Sequence, residues 1–210
     1  MTIEERKERE KEMRRLQILD AAKKVFASKG FCDATVDEIA QEAELSPATL
    51  YLYFKNKDEL NSVLHIKILK VLIEKIENIY HQDELSPEEK IKALAKALYE
   101  VYKTDPLILI DILQSQSSES IRKLSPKILS QIKHYGGNTI RTIAKIFEDG
   151  IREEIFLNRD PIALADIVWG LFTGVVLWEE TKKGFDPKKD FLKPTLELGI
   201  EIISRGVKKN

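Results

Sequence analysis

The chain has one cysteine, Cys32, among 210 residues. No internal disulfide framework is therefore possible, which fits a reducing cytoplasm. Cys32 has no nearby histidine or second cysteine, so a buried or bystander thiol is expected rather than a nucleophile. Histidine is equally scarce: His65, His81 and His134 stand far apart. No metal site and no cofactor are expected. There is no phosphate-cradling glycine loop and no paired catalytic motif, so the residues do not support an enzyme. A catalytic constellation assembled only in three dimensions on a helical bundle is the alternative. The N-terminus is densely charged and lacks an apolar core segment, so no signal peptide is expected. The most apolar stretch, residues 167–178, is shorter than the roughly 20 residues a bilayer span needs, and no membrane partner is expected. No alternating strand pattern, repeat or long linker interrupts the chain. An excess of one charge is also missing, with 34 Lys and Arg against 35 Asp and Glu.

What stands out is the run TVDEIAQEAELSPATLYLYFKNKDEL, residues 35–60. Thr35 followed three residues later by Glu38 is a capping box that opens a helix. Val36, Ile39, Ala40 and Ala43 then recur at the spacing of one helix face. Ser46 and Pro47 form a second start signal, a hydroxyl cap before a proline at the first helical position. Only Glu44 and Leu45 separate the two helices, a turn as short as that of a helix-turn-helix. Asn56 with Glu59 repeats the capping logic for a third start.

At 100° per residue, Leu50 and Phe54 fall on one side of the second helix, with Pro47 nearby. That side is expected to pack on the first helix. Ala48 and Leu52 fall opposite, flanked by Thr49 and Tyr51. An apolar Leu52 in water is mildly costly, but it can meet a thymine methyl, and Ala48 lets a helix approach base edges. Thr49, Tyr51 and Tyr53 offer hydroxyls to phosphates. From Ser46 to Lys57 there are two cations, Lys55 and Lys57, and no acid. Lys57 begins a helix, where a cation opposes the macrodipole. A phosphate docked there would reverse the penalty.

Charge over residues 1–60 runs the other way, with 11 Lys and Arg against 13 Asp and Glu, a net of −2. DNA-binding domains are usually basic. Modest intrinsic affinity is therefore expected, with binding carried by two copies on two half-sites. In the N-terminal arm, Glu5 with Arg9 and Glu10 with Arg14 sit at helical pair spacing. The arm reads as a solvated helix extension, or as Arg6, Arg9, Arg14 and Arg15 reaching the adjacent groove or backbone.

Residues 18–60 resemble the N-terminal domain of TetR-type bacterial transcriptional repressors. The match rests on Ile18, Ala21, Ala22, Phe26, Gly30, Thr35, Ile39, Ala40, Ala43, Ser46, Thr49, Leu50, Tyr51, Tyr53, Phe54, Lys57 and Leu60. The family pattern usually has a glycine where this chain has Glu44. The resemblance implies that Thr35, Ser46, Thr49, Tyr51, Tyr53 and Lys57 contact operator DNA. With Pro47, Ala48, Leu52 and Lys55 they make up the expected DNA-reading surface.

The remainder reads as helix throughout. The first helix is expected to end at Lys29, with Gly30 as its cap. It carries Ile18, Leu19, Ala22, Val25 and Phe26 on its inner face. A long helix over residues 57–81 follows. Further helices are opened by Ser86–Pro87, running to about residue 103, and by Asp105–Pro106, ending near residue 117. Ser125–Pro126 opens a helix to about residue 155, Asp160–Pro161 opens the next, and Asp186–Pro187 precedes the last. Gly136 and Gly137 interrupt one helical pattern and mark either a kink or a close approach to a neighbour or ligand. The expected fold is all-α: a helix-turn-helix three-helix domain over residues 1–56, and a helical ligand-binding and dimerisation domain over residues 57–210. Between Ile167 and Trp178 almost no polar face remains, and a helix apolar all round must be covered all round. Gly170 and Gly174 would let a second helix come close. The last helix, with Leu192, Leu196, Leu198, Gly199, Ile200, Ile202 and Ile203, is apolar on two sides. The last two helices are thus expected to form a homodimer interface that sets two recognition helices about one DNA turn apart.

The resemblance further implies a small effector in the core of the C-terminal domain, whose binding tilts the long connecting helix. Candidate pocket residues are Tyr102, Leu113, Gln114, Phe147, Ile151, Trp169 and Phe172. Aromatics with few polar groups suit an apolar ligand, a fatty acyl group or a planar aromatic. The expected activity is a repressor released from a palindromic operator by that ligand. The alternative is a helix-turn-helix regulator gated by a protein partner, or an activator, with no small ligand.

Overall fold

The structure, a computed structural model, describes residues 2–114, 126–186 and 190–209. Among them the chain forms nine α-helices and one isolated bridge, between Phe156 and Lys208. Helix α1 spans Ile3–Asp33, α2 Val36–Glu42, α3 Pro47–Tyr51 and α4 Lys57–Tyr80. Helix α5 spans Pro87–Thr104, α6 Pro106–Gln114, α7 Pro126–Arg152, α8 Pro161–Lys183 and α9 Leu192–Gly206.

The caps fall where the hydroxyl and carboxylate pairs put them. Thr35 with Glu38 and Ser86 with Glu89 form complete capping boxes, and Asp160 accepts from the Ile162 and Ala163 amides. At Asn56 the box is rearranged: Asn56 caps the Glu59 amide, but the Glu59 carboxylate reaches the Lys55 amide. The expected helix end near residue 117, the Ser125 cap and Pro187 lie outside the described residues.

Three boundaries differ from expectation. Gly30 does not end α1. It breaks it, at φ 78 and ψ 162, and one further turn follows to Asp33. Only glycine takes that backbone region without strain. Helix α7 runs through Gly136 and Gly137 without a break, so no kink forms there. It ends at Arg152 because the chain then reverses, with Glu154 at φ 58, and brings Phe156 back under Gly150. A Cβ on Gly150 would stand 2.1 Å from that ring. In the arm, Arg6 pairs with Glu10 at 2.9 Å.

Helices α1 and α2 pack together and α3 packs on α2, around Ile18, Ala22, Ile39, Ala40, Leu50 and Phe54. Helix α4 leaves this unit and lies along α7 and α5, while α8 packs against α6, α7 and α9. At 23 residues, α8 is long and apolar enough by length and composition to cross a membrane. The shorter apolar run read from the sequence did not suggest this. In the fold, Leu164, Ala165, Val168, Phe172 and Val176 turn inward, and Ile162, Ile167 and Trp178 stay exposed.

Candidate nucleic-acid interface and cavity

The interface is built around α3. Ser46 caps it by accepting the Thr49 amide at 3.1 Å, and the Ser46 and Thr49 hydroxyls lie 2.9 Å apart. Pro47 supplies the first helical position. Leu50 and Phe54 are sealed in the core, as the wheel expects. The opposite side is bare: Leu52 is 81 % exposed and Tyr51 52 %. Ala48 and Lys55 are exposed, and Thr49 and Tyr53 are half-buried. Pro47, which the wheel put near the packed side, is exposed. The turn before α3 places Glu44 at φ 55. The glutamate thus holds the left-handed geometry that a glycine adopts freely, at a cost of about 1–2 kcal/mol.

Thr35 is exposed at the start of α2, where its hydroxyl accepts the Glu38 amide. Lys29 pairs with Glu38. With the Lys29 ammonium and the Thr35 amide and hydroxyl as donors, the Glu38 carboxyl is pulled down to about 2. The acids of α2 are thus largely engaged within the unit: Lys24 holds Glu42 at 2.8 Å.

Lys57 departs from expectation. Its ammonium is not presented to an outside anion. It donates to the carbonyls of Phe31 (2.6 Å), Cys32 (3.0 Å) and Ala34 (2.8 Å). It also sits 4.6 Å over the Phe31 ring. Carbonyls left open at the end of α1 are a ready acceptor for a cation, and they satisfy Lys57 where a phosphate was expected to.

A cavity of about 900 Å³ opens between this unit and the helices above it. Residues 29–33 of α1 form one wall; Asn61, Ser62, His65, Leu69 and Leu72 of α4 form another. Asp111, Ile112 and Gln114 of α6 and Ile132, Gly136, Thr139 and Ile140 of α7 close it, with Trp169 of α8. On its polar side Asp111 accepts from Asn61 at 2.8 Å and lies 2.5 Å from the His65 ring nitrogen. Burial pushes the Asp111 carboxyl up, but the hydrogen bonds from His65 and Asn61 outweigh it and leave it below its ordinary value.

Of the pocket residues expected from the sequence, Gln114 and Trp169 line this cavity. Leu113, Phe147 and Phe172 are instead sealed in solid core, and Ile151 packs against that core from outside. Tyr102 is buried elsewhere, donating to Glu180 at 2.9 Å and accepting from Lys183 at 2.7 Å. Residue type distinguishes apolar from polar but not a filled interhelical space from an open one, and these five do not line the cavity. The residues that were missed are His65, Asp111 and Asn61 on the polar side and the α1 turn around Phe31. The one signal for them was Gly30, since a helix broken one turn early leaves a wedge beside it. Gly136, open between kink and ligand border, borders the cavity. Cys32 is exposed at the cavity wall rather than buried. Among the described residues no cluster of His, Cys, Asp or Glu is arranged to hold a metal.

Residues 18–62 match the family described as bacterial regulatory proteins, tetR family. An uncharacterised HTH-type transcriptional regulator of Bacillus subtilis, YhgD, is 30% identical over 195 residues, covering 89% of this chain and 94% of that protein. The fatty acid metabolism regulator protein of the same organism is 28% identical over 180 residues, covering 85% of this chain and 90% of that protein. In three dimensions the chain is similar to the transcriptional regulator FadR from Bacillus subtilis, solved in complex with stearoyl-CoA. That match has a TM-score of 0.71 at 22% identity and covers 91% of this chain and 98% of the other. With a helix-turn-helix whose packed and bare sides separate cleanly, and a relative matched over nearly its whole length, the chain belongs to the TetR family of bacterial transcriptional regulators, which are not enzymes.

Proposed function

We propose that this regulator is a homodimeric repressor, released from a palindromic operator when a fatty acyl ligand enters the cavity. The observation that carries the reading is the position of that cavity. It is walled by α4, the same helix that begins immediately after the DNA-reading unit, so an occupant acts on the element that orients α3. Residues 1–56 serve as reader and residues 57–210 as effector and dimer unit. Ala48, Tyr51 and Leu52 face the bases, and Thr35, Ser46, Pro47, Thr49, Tyr53 and Lys55 border the phosphates. Leu69, Leu72, Ile112, Ile132, Ile140 and Trp169 offer an apolar lining for an acyl chain, and the cavity is at the large end of the roughly 300–1,000 Å³ usual for ligand sites. The stearoyl-CoA bound to the Bacillus subtilis FadR supports that chemistry. Such a ligand must favour the form that releases DNA, since one with equal affinity for both shifts nothing.

The dimer is formed by α8 and α9. Ile162, Ile167, Trp178, Leu198 and Ile202 are exposed on the protomer. A Cβ on Gly170 or Gly174 would meet nothing within 4 Å, leaving room for a partner helix. The test is selection of binding sites from a random DNA pool, followed by titration with stearoyl-CoA. A recovered palindrome that stearoyl-CoA displaces supports the reading; no enrichment even at low salt removes it. Displacement failing while a palindrome is recovered would leave the regulator gated by another partner. A Trp178→Glu, Ile202→Glu double variant is expected to sediment as a monomer and to bind the operator very weakly.

A further inference from the structure

We propose that Lys57 is the latch through which the cavity controls the DNA-reading unit, rather than a phosphate ligand; this rests on the cavity being the effector site. An ammonium has three N–H donors, and the three carbonyls of Phe31, Cys32 and Ala34 use all of them. The Phe31 ring covers the same cation. Lys57 therefore has no donor left for DNA while the latch is closed.

The clamped segment is also the cavity wall. Lys29, Gly30, Phe31, Cys32 and Asp33 all line it. Gly30, at φ 78, detaches this last turn from the rest of α1, so the turn can move without bending the helix that carries the core of the reader. Opposite, α4 is tied to α6 by the bonds of Asn61 and His65 to Asp111. Two bonded contacts thus flank the cavity. One holds α4 to α6, and the other, Lys57, holds α4 to the end of α1. An occupant that wedges the α1 turn away from α4 must break the Lys57 bonds. Lys57 opens α4 three residues after Phe54, which closes the core beneath α3, so release there frees the angle between reader and connecting helix.

The test uses the full-length protein, the selected operator and stearoyl-CoA as probe, with Lys57→Met and the conservative Lys57→Arg. Circular dichroism and sedimentation establish that each variant is folded and of native size. Lys57→Met is expected to bind the operator about tenfold more weakly without ligand, and to lose most of the further weakening that stearoyl-CoA causes in the wild type, a coupling typically of about 5–150-fold. Its binding of stearoyl-CoA, read from tryptophan fluorescence in a Trp178→Phe background that leaves Trp169 of the cavity wall as the reporter, should be tighter than in the wild type by up to about tenfold, because the ligand no longer has to break the Lys57 bonds. Lys57→Arg should restore part of the coupling.

The salt dependence separates a latch from a phosphate contact. Removing a phosphate ligand lowers the slope of log K against log salt by about 0.9 per contact. A latch leaves the slope unchanged. A reduced slope in Lys57→Met, or wild-type coupling in a folded Lys57→Met, overturns the proposal. If stearoyl-CoA neither quenches Trp169 nor displaces DNA from the wild type, the acyl reading fails. The ligand-free affinity and its salt slope then still decide the latch.

Discussion

The reader and the cavity are built by opposite packing rules. Around α3, Leu50 and Phe54 are sealed and every inward side chain meets another, so the outward face is held in one orientation. Around the cavity, five helices converge without filling the space, and Asn61 and His65 of α4 reach Asp111 of α6 through polar contacts. A rigid reader suits base recognition, where a displacement of the helix loses contacts. An incompletely filled region suits an effector, because an occupant gains contacts there that the empty protein lacks.

The sharpest way to break this comparison is to truncate one apolar side chain in each region. Phe54→Ala should lower unfolding stability by about 3–5 kcal/mol, read by urea titration, because a close-packed site cannot collapse. Ile140→Ala on the cavity wall should cost about 1 kcal/mol, since its half-buried side chain already borders open space. Equal costs would mean that the cavity is not held open in solution.

A second substitution separates recognition from stability inside the reader. Tyr51→Ala should weaken operator binding about tenfold, or about 1.4 kcal/mol, while leaving the melting temperature unchanged. A matching loss of stability would place Tyr51 in the packing rather than at the DNA. At the turn, Glu44→Gly should raise stability by about 1 kcal/mol, because it removes a left-handed glutamate. Unchanged stability would show that the glutamate makes a compensating contact.

The smallest effect is a pH dependence. Glu38 in the reader is drawn down to about 2 by Lys29 and Thr35, and Glu88 on α5 to about 2 by Lys208 and Lys92. Both folded values are depressed, so both carboxylates contribute stability that is complete above the ordinary value near 4.5 and is lost as pH falls towards 2. Both carboxylates are half-buried at the surface and their lysine partners Lys29 and Lys208 are exposed, so the effect is small and screened by salt. Glu38→Gln and Glu88→Gln should each flatten the acid limb of melting temperature against pH between 4.5 and 2. An unchanged limb would remove the ion pair concerned from the account.

The reader was legible because its signals are local. Thr35 with Glu38, and Ser46 with Pro47, mark helix starts within a single turn, and the sides of α3 follow from the position of Leu50 and Phe54 alone. The cavity was not legible for the opposite reason. Phe147 and Phe172 look like pocket aromatics in sequence, yet whether a side chain fills a gap or lines one depends on helices far apart in the chain. Lys57 shows the same limit on a smaller scale. Its place at a helix start was clear, but its acceptors lie 23 to 26 residues earlier.

What the amino-acid order determined by itself is the set of helices, their caps and the bare face of α3. These rest on hydrogen bonds between residues three or four apart and on a fixed angular step. Only the tertiary structure decided that Glu44 keeps the glycine-like turn, that Gly30 detaches the end of α1, and that Lys57 closes on that detached turn beside a cavity. Each of these depends on where one helix comes to rest against another. That position is set by the sum of many weak packing contacts, and no short stretch of sequence contains it.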